Sequence, residues 1–243
     1  MSLLPSEIHP SWNGFLTSHG YDLLHDIEKH LSGTFSPDKG KMLRFLSTDF
    51  DHTKIVILGQ DPYPEKGVAV GRAFEVGALR SWDQPFRQVS LKNIIRLIYR
   101  SINDVQDYND IPTFKQILEE IKSGKFLIAD PPEWFNSLEK QGVLFLNTCF
   151  SVEPGRPLSH RELWQPFSEK LIEWISQKNP ELYWFLWGNN AKEFKPFICK
   201  GRLFESKHPM MCSDSYSDDF LKNDCIRKTM KIIDWTGKTV PAI

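Results

Sequence analysis

The chain has 243 residues, a formal net charge of −1, and 40% hydrophobic and 13% aromatic residues. That length can bury a full core as one domain spanning 1–243, and the balance excludes both a disordered chain and a bulk polycation. No stretch approaches the ~20 apolar residues of a membrane-spanning helix, and the N-terminus lacks the charged, then apolar, pattern of a secretory leader, so an intracellular protein is expected. From the N-terminus, residues 21–31 have helical spacing that stops near Gly33. Residues 54–58, Lys-Ile-Val-Ile-Leu, form a short β-branched run, as expected of a strand buried on both faces. It runs directly into Gly59-Gln60-Asp61-Pro62-Tyr63-Pro64, a loop stiffened by two prolines.

Ser90 is placed to cap a helix carrying Leu91, Ile94, Ile95, Ile98 and Ile102 on one face. Residues 113–121 read as a shorter amphipathic helix, followed by an irregular loop over Asp130-Pro131-Pro132-Glu133-Trp134. Residues 142–148 form an apolar strand ending in Asn147, and Trp164, Phe167, Leu171, Trp174 and Ile175 mark a further helix. Residues 182–188 form a third strand, opening into Asn189-Asn190-Ala191. A shorter one, 202–206, leads to Lys207-His208-Pro209. With helices between, four strands bring Asp61, Asn147, Asn189 and His208 to one rim, and α/β sheets bind ligands outside the carboxyl ends of their strands. Taken singly, each of these residues is equally at home as an ordinary turn or loop residue. No internal repeat, low-complexity tract or interdomain linker is present.

Cys149, Cys199, Cys212 and Cys225 show no paired spacing, which argues against a disulfide framework and a zinc ribbon. A metal site from Cys199, His208, Cys212 and Cys225 is disfavoured for the same reason. There is neither a phosphate-cradling glycine loop nor a nucleophile elbow, which sets aside nucleotide-binding and α/β-hydrolase readings. Lys207, Lys222, Arg227, Lys228 and Lys231 give a local positive excess beside an acidic stretch at 214–219.

Five segments in order, Gly59 to Pro64, Gly71-Arg72-Ala73-Phe74, Gly142 to Asn147, Trp187 to Ala191 and His208 to Cys212, resemble the motifs of the family 1 uracil-DNA glycosylases. Pro64 stands where that pattern has a His, Met210-Met211-Cys212 where it has Ser-Pro-Leu, and Gly71-Arg72-Ala73-Phe74 where it has Gly-Leu-Ala-Phe. The resemblance implies an α/β fold with a central four-stranded parallel sheet flanked by helices on both faces. It implies a monofunctional DNA repair hydrolase that cuts the N-glycosidic bond of deoxyuridine and leaves an abasic site, acting as a monomer, in the cytoplasm or in a eukaryotic nucleus, with no metal or organic cofactor.

By the same resemblance Asp61 orients water and stabilises the cationic sugar, while neutral His208 donates to the base O2. Phe74 stacks on the flipped ring, Tyr63 fills the space of a thymine methyl, and Gln60 contributes main-chain contacts. The Asn147 amide offers a donor and an acceptor, matching O4 and N3–H of uracil. Ser90, Asn189 and Ser213 are candidates to hold phosphates. Cys212 takes the position of a leucine that fills the gap left by the flipped nucleotide, and it is too short. Met210 or Met211 is therefore expected to act as the wedge. The segment 77–89 is expected to carry a local insertion. Two other readings stay open at this stage: a catalytically silent DNA-binding relative, and a glycosylase for another deaminated or damaged base.

Overall fold

The computed structural model describes residues 3–238; Met1, Ser2 and residues 239–243, the two ends of the expected domain span, lie outside it. Four five-residue strands, β1 (Ile55–Gly59), β2 (Val143–Asn147), β3 (Tyr183–Trp187) and β4 (Arg202–Ser206), form one parallel sheet in the order β2-β1-β3-β4. The longer helices are α1 (Tyr21–His30), α2 (Val89–Ile102), α3 (Phe114–Lys122), α4 (Pro131–Lys140) and α5 (Arg161–Lys178), with short α6 (Asn189–Lys192) and α7 (Cys225–Thr229) near the C-terminus. The expected architecture, a central four-stranded parallel sheet flanked by helices, is observed. Among the described residues no helix is long and apolar enough to cross a membrane.

The sheet is buried on both faces because each central strand is apolar at every position while its side chains alternate. Ile55, Ile57, Val143, Phe145, Phe185 and Trp187 point into one core with Leu91, Ile94, Ile95 and Ile98 of α2 and Trp134, Phe135 and Leu138 of α4. Val56, Leu58, Leu144, Leu146, Trp184 and Leu186 point into the other, with Leu24 and Ile27 of α1 and Trp164, Phe167, Leu171 and Ile175 of α5. The edge strand β4 is less covered, with Arg202 and Glu205 exposed.

Two expectations are corrected. The segment at 130–134 is no irregular loop: Asp130 precedes α4, and Pro131 and Pro132 occupy its first turn. Proline is tolerated there because the first-turn N–H groups have no intrahelical partner. Nor does Ser90 cap α2. The helix begins at Val89, after Gln88, two residues earlier than a Ser90 cap would start it, with no side-chain cap bond, and Ser90 sits buried in the first turn. α3 carries a capping box: the Thr113 hydroxyl accepts from Gln116 N–H while the Gln116 side chain accepts from Thr113 N–H. The segment before α2 contains no helix or strand from Gly77 to Gln88, but Trp82 anchors it by donating its indole N–H to the Ala129 carbonyl at 2.8 Å.

Candidate active site

Parallel strands all release their chains on the same side, so the exits of β1, β2, β3 and β4 meet at one rim. A cavity of about 370 Å³ opens there, lined by Gln60, Asp61, Tyr63, Phe74, Asn147 and His208 among others. Every catalytic and base-binding candidate of the sequence reading lines it.

The β1–β2 register sets Gly59 opposite Asn147. A Cβ on Gly59 would lie 2.5 Å from Asn147 Oδ1 and 2.7 Å from the Ala73 Cβ, so only glycine lets the amide and the 71–74 segment come this close. Asn147 is 4% exposed. On the opposite wall Gly188 takes φ +93, and a Cβ there would meet the His208 Cβ at 2.8 Å. The turn after β3 is thus closed against the imidazole.

Asp61 is held at both oxygens. Oδ1 accepts from the Gln60 side-chain amide at 3.0 Å and Oδ2 from Leu158 N–H at 2.7 Å. The Gln60 amide oxygen in turn accepts from the Asn190 side chain. Desolvation by burial pushes the Asp61 carboxyl above its ordinary 3.8, partly countered by the Leu158 and Gln60 hydrogen bonds. Leu158 donates from a left-handed backbone, φ +60, and Phe74 presents its ring from φ +65. Such conformations in bulky residues cost on the order of 1–3 kcal/mol each and persist where the surroundings over-determine them.

His208 Nδ1 accepts from Met210 N–H at 3.2 Å, which leaves Nε2 to carry the ring proton. Burial holds the imidazole below its ordinary 6.5, so the neutral ring is the favoured form. The loop behind it is anchored from α2, where buried Asn93 donates to the Pro209 carbonyl at 2.6 Å. The Phe74 ring lies 5.8 Å from Trp187 and 6.3 Å from the His208 ring. Tyr63 donates its hydroxyl to the Phe74 carbonyl at 3.4 Å, and burial pushes that phenol upward, so it stays neutral.

Of the candidates for phosphate contact, Ser90 and exposed Asn189 line the cavity, as do Met210 and Met211. Ser213 does not: its N–H is taken by Asp219 at 2.7 Å and its hydroxyl by Ser215 at 2.8 Å. Three of the five cations noted at 207–231 face carboxylates. Lys207 pairs with Asp218, Lys222 with Asp214 and Arg227 with Asp104. These pairs also account for the acidic stretch, two of whose carboxylates face lysines rather than the cavity. Among the described residues no cluster of three or more His, Cys, Asp or Glu side chains is placed to hold a metal ion.

Sequence reasoning missed Leu158, Asn190 and Asn93. Asn190 adjoins the chosen Asn189, but nothing in the sequence marks its bond to Gln60, and the Leu158 contribution is a backbone N–H, which any residue supplies.

Fold and cavity together define an α/β protein with a cavity on the carboxyl rim of a parallel sheet. The chain belongs to the uracil DNA glycosylase superfamily, whose family model matches residues 47–232. It is 29% identical over 237 residues to a uracil-DNA glycosylase of Streptococcus pyogenes serotype M49 (strain NZ131), covering 95% of this chain and 94% of that protein. Its fold matches the crystal structure of UNG from Nitratifractor salsuginis with a TM-score of 0.69 at 21% identity, over 94% of this chain and 92% of the other. Mimivirus uracil-DNA glycosylase gives a TM-score of 0.61 at 22% identity, over 85% and 70%.

The close approach at Gly59 gives a direct check. Gly59→Ala forces a Cβ against Asn147 and Ala73 and should cost about 1–3 kcal/mol, the usual range for overpacking. A lower urea midpoint with unchanged slope is expected; an unchanged midpoint contradicts the packing described.

Proposed function

We propose that this protein hydrolyses the N-glycosidic bond of deoxyuridine in DNA, releasing uracil and leaving an abasic site. The observation that carries the reading is the convergence of Asp61, Asn147, Phe74 and His208 on one cavity at the strand ends. Family membership and the name of the streptococcal relative, uracil-DNA glycosylase, support it.

The chemistry follows from charge. As the base–sugar bond lengthens, the sugar becomes cationic and the departing base anionic. Asp61 supplies the negative charge beside the sugar and holds the attacking water, its own orientation fixed by Leu158 and Gln60. The Nε2–H of His208 donates to the base O2 where negative charge accumulates, and the neutral ring does so without protonating the base. A preorganised donor of this kind is worth about 3 kcal/mol. Asn147 reads the pyrimidine edge: its amide pairs with O4 and N3–H, while the reversed edge of cytosine leaves buried polar groups unpaired. Phe74 stacks on the extruded ring, and Tyr63 closes the space a thymine methyl needs.

Base extrusion from a duplex leaves a gap. Met210 and Met211 are 59% and 50% exposed at the cavity mouth, whereas Cys212 is half-buried and directs its thiol to the Pro209 carbonyl at 3.3 Å. The two methionines are therefore the wedge candidates, and the cysteine is not.

Oligonucleotides that differ only in carrying uracil, thymine, hypoxanthine or xanthine test the reading through alkali-labile sites. Uracil should be released, with excess chelator present or absent. Asp61→Asn and His208→Ala should each lower turnover by about two decades or more while DNA binding is retained. Binding of uracil-containing DNA without abasic product supports a silent relative instead. Preferential cutting at another base assigns the protein a different lesion.

The pH profile has a definite sign. Activity needs ionised Asp61 and falls as pH drops through its carboxyl pKa. Because burial raises that pKa, the acid limb lies above the ordinary 3.8. His208 acts neutral and its pKa is lowered from 6.5, so kcat/KM holds level as pH rises from 6.5. A fall in kcat/KM on raising pH through the ordinary imidazole range contradicts the neutral-donor assignment.

Unstacking costs a few kcal/mol in a duplex and little in single strands. Met211→Ala should slow uracil release from duplex far more than from single-stranded DNA, with Met210→Ala as the comparison. Equal losses on both substrates, or no loss in either variant, rule out a methionine wedge.

A further inference from the structure

Arg72 stands where the resembling motif, Gly-Leu-Ala-Phe, has a leucine, and its side chain is only 4% exposed. A buried guanidinium needs full partnering, and this one has it. Nε and Nη2 donate to the two Glu139 oxygens at 2.7 and 2.6 Å, Nη2 also to Asn136 Oδ1 at 2.8 Å, and Nη1 to Glu75 Oε2 at 3.1 Å. Arg44 approaches Glu139 at 3.4 Å, so two cations face two carboxylates. Asn136 and Glu139 lie three residues apart on one face of α4 and together receive the planar fork.

The cluster lies two residues from Phe74, whose ring lines the cavity and whose backbone is left-handed at φ +65. Between them Ala73 donates to the Phe145 carbonyl of β2 at 3.3 Å, and beyond them the Phe74 carbonyl accepts from Tyr63. The strained turn is therefore fixed on one side by Arg72 on α4 and on the other by the cavity loop. Buried ion clusters contribute little net stability because desolvation offsets attraction. A bidentate fork does, however, fix a direction that an apolar leucine leaves free.

We propose that Arg72 is a positioning residue, whose fork on Asn136 and Glu139 holds the turn that presents the Phe74 ring to the extruded base. The inference rests on the glycosylase reading, in which Phe74 stacks on that base. Losing a stacking contact common to ground and transition states raises KM with little change in kcat.

The test is Arg72→Lys, which keeps the charge but loses the fork, assayed for uracil release from a single-stranded oligonucleotide in the wild-type and Phe74→Ala backgrounds. In the wild-type background KM should rise about tenfold with kcat within about threefold. In the Phe74→Ala background the same change should move KM by less than about twofold, because residues acting through one contact are non-additive. Arg72→Leu/Glu139→Leu, which removes both charges together, is the second variant if the lysine form does not fold, and it should give the same KM pattern. Equal losses in both backgrounds overturn the assignment while leaving the glycosylase reading intact. Wild-type protein that releases no uracil overturns that reading, and this inference with it.

Discussion

The missing side chain at Gly59 is the constraint on which the site depends. β1 and β2 run in register so that residue 59 faces Asn147, and the absent Cβ lets the Asn147 amide and Ala73 press against the backbone there. Asp61 follows two residues later, so the carboxylate, the amide and the Phe74 turn take their spacing from one strand end. The sheet supplies the rest by being parallel: β3 and β4 end on the same side and add Gly188 and His208. A site built on strand ends inherits the rigidity of a sheet buried on both faces.

The geometry at the cavity is not the one of lowest local energy. Two bulky residues, Leu158 and Phe74, occupy left-handed backbone, one to aim an N–H at Asp61 and the other to aim a ring. A carboxylate is held in partial burial, and an imidazole is held neutral by the same desolvation. Each arrangement costs free energy and persists because neighbours over-determine it. Asn93 holds the loop behind His208, Asn190 holds Gln60, and Arg72 holds the segment that carries Phe74.

β1, β2 and β3 were legible because each is a short apolar run closed by glycine or by polar residues, and because alternation sends such a run into two cores. Helices with a clear apolar stripe, α2 and α5, were legible for the same reason. The helix at Pro131–Lys140 was misjudged at its start, since a proline pair signals a loop unless it falls in a first turn, and only the structure places that turn. Candidate residues at strand exits were legible by chemistry and by resemblance. Their supports were not. Leu158 reaches Asp61 across 97 residues, Asn190 reaches Gln60 across 130 and Asn93 reaches Pro209 across 116, and no local pattern encodes such pairings. Charge was legible only as composition: a positive excess and an acidic stretch adjoin in the sequence, but which lysine faces which carboxylate is seen only in the fold.

A structure of the protein bound to an oligonucleotide carrying a hydrolysis-resistant deoxyuridine analogue tests the central claim most directly. The account predicts the base extruded into the cavity, with the Asn147 amide facing O4 and N3, the Phe74 ring parallel to it, His208 Nε2 within hydrogen-bond distance of O2 and the Asp61 carboxylate beside the sugar. A base still stacked in the strand, or seated in the cavity with its pyrimidine edge turned away from Asn147, contradicts it.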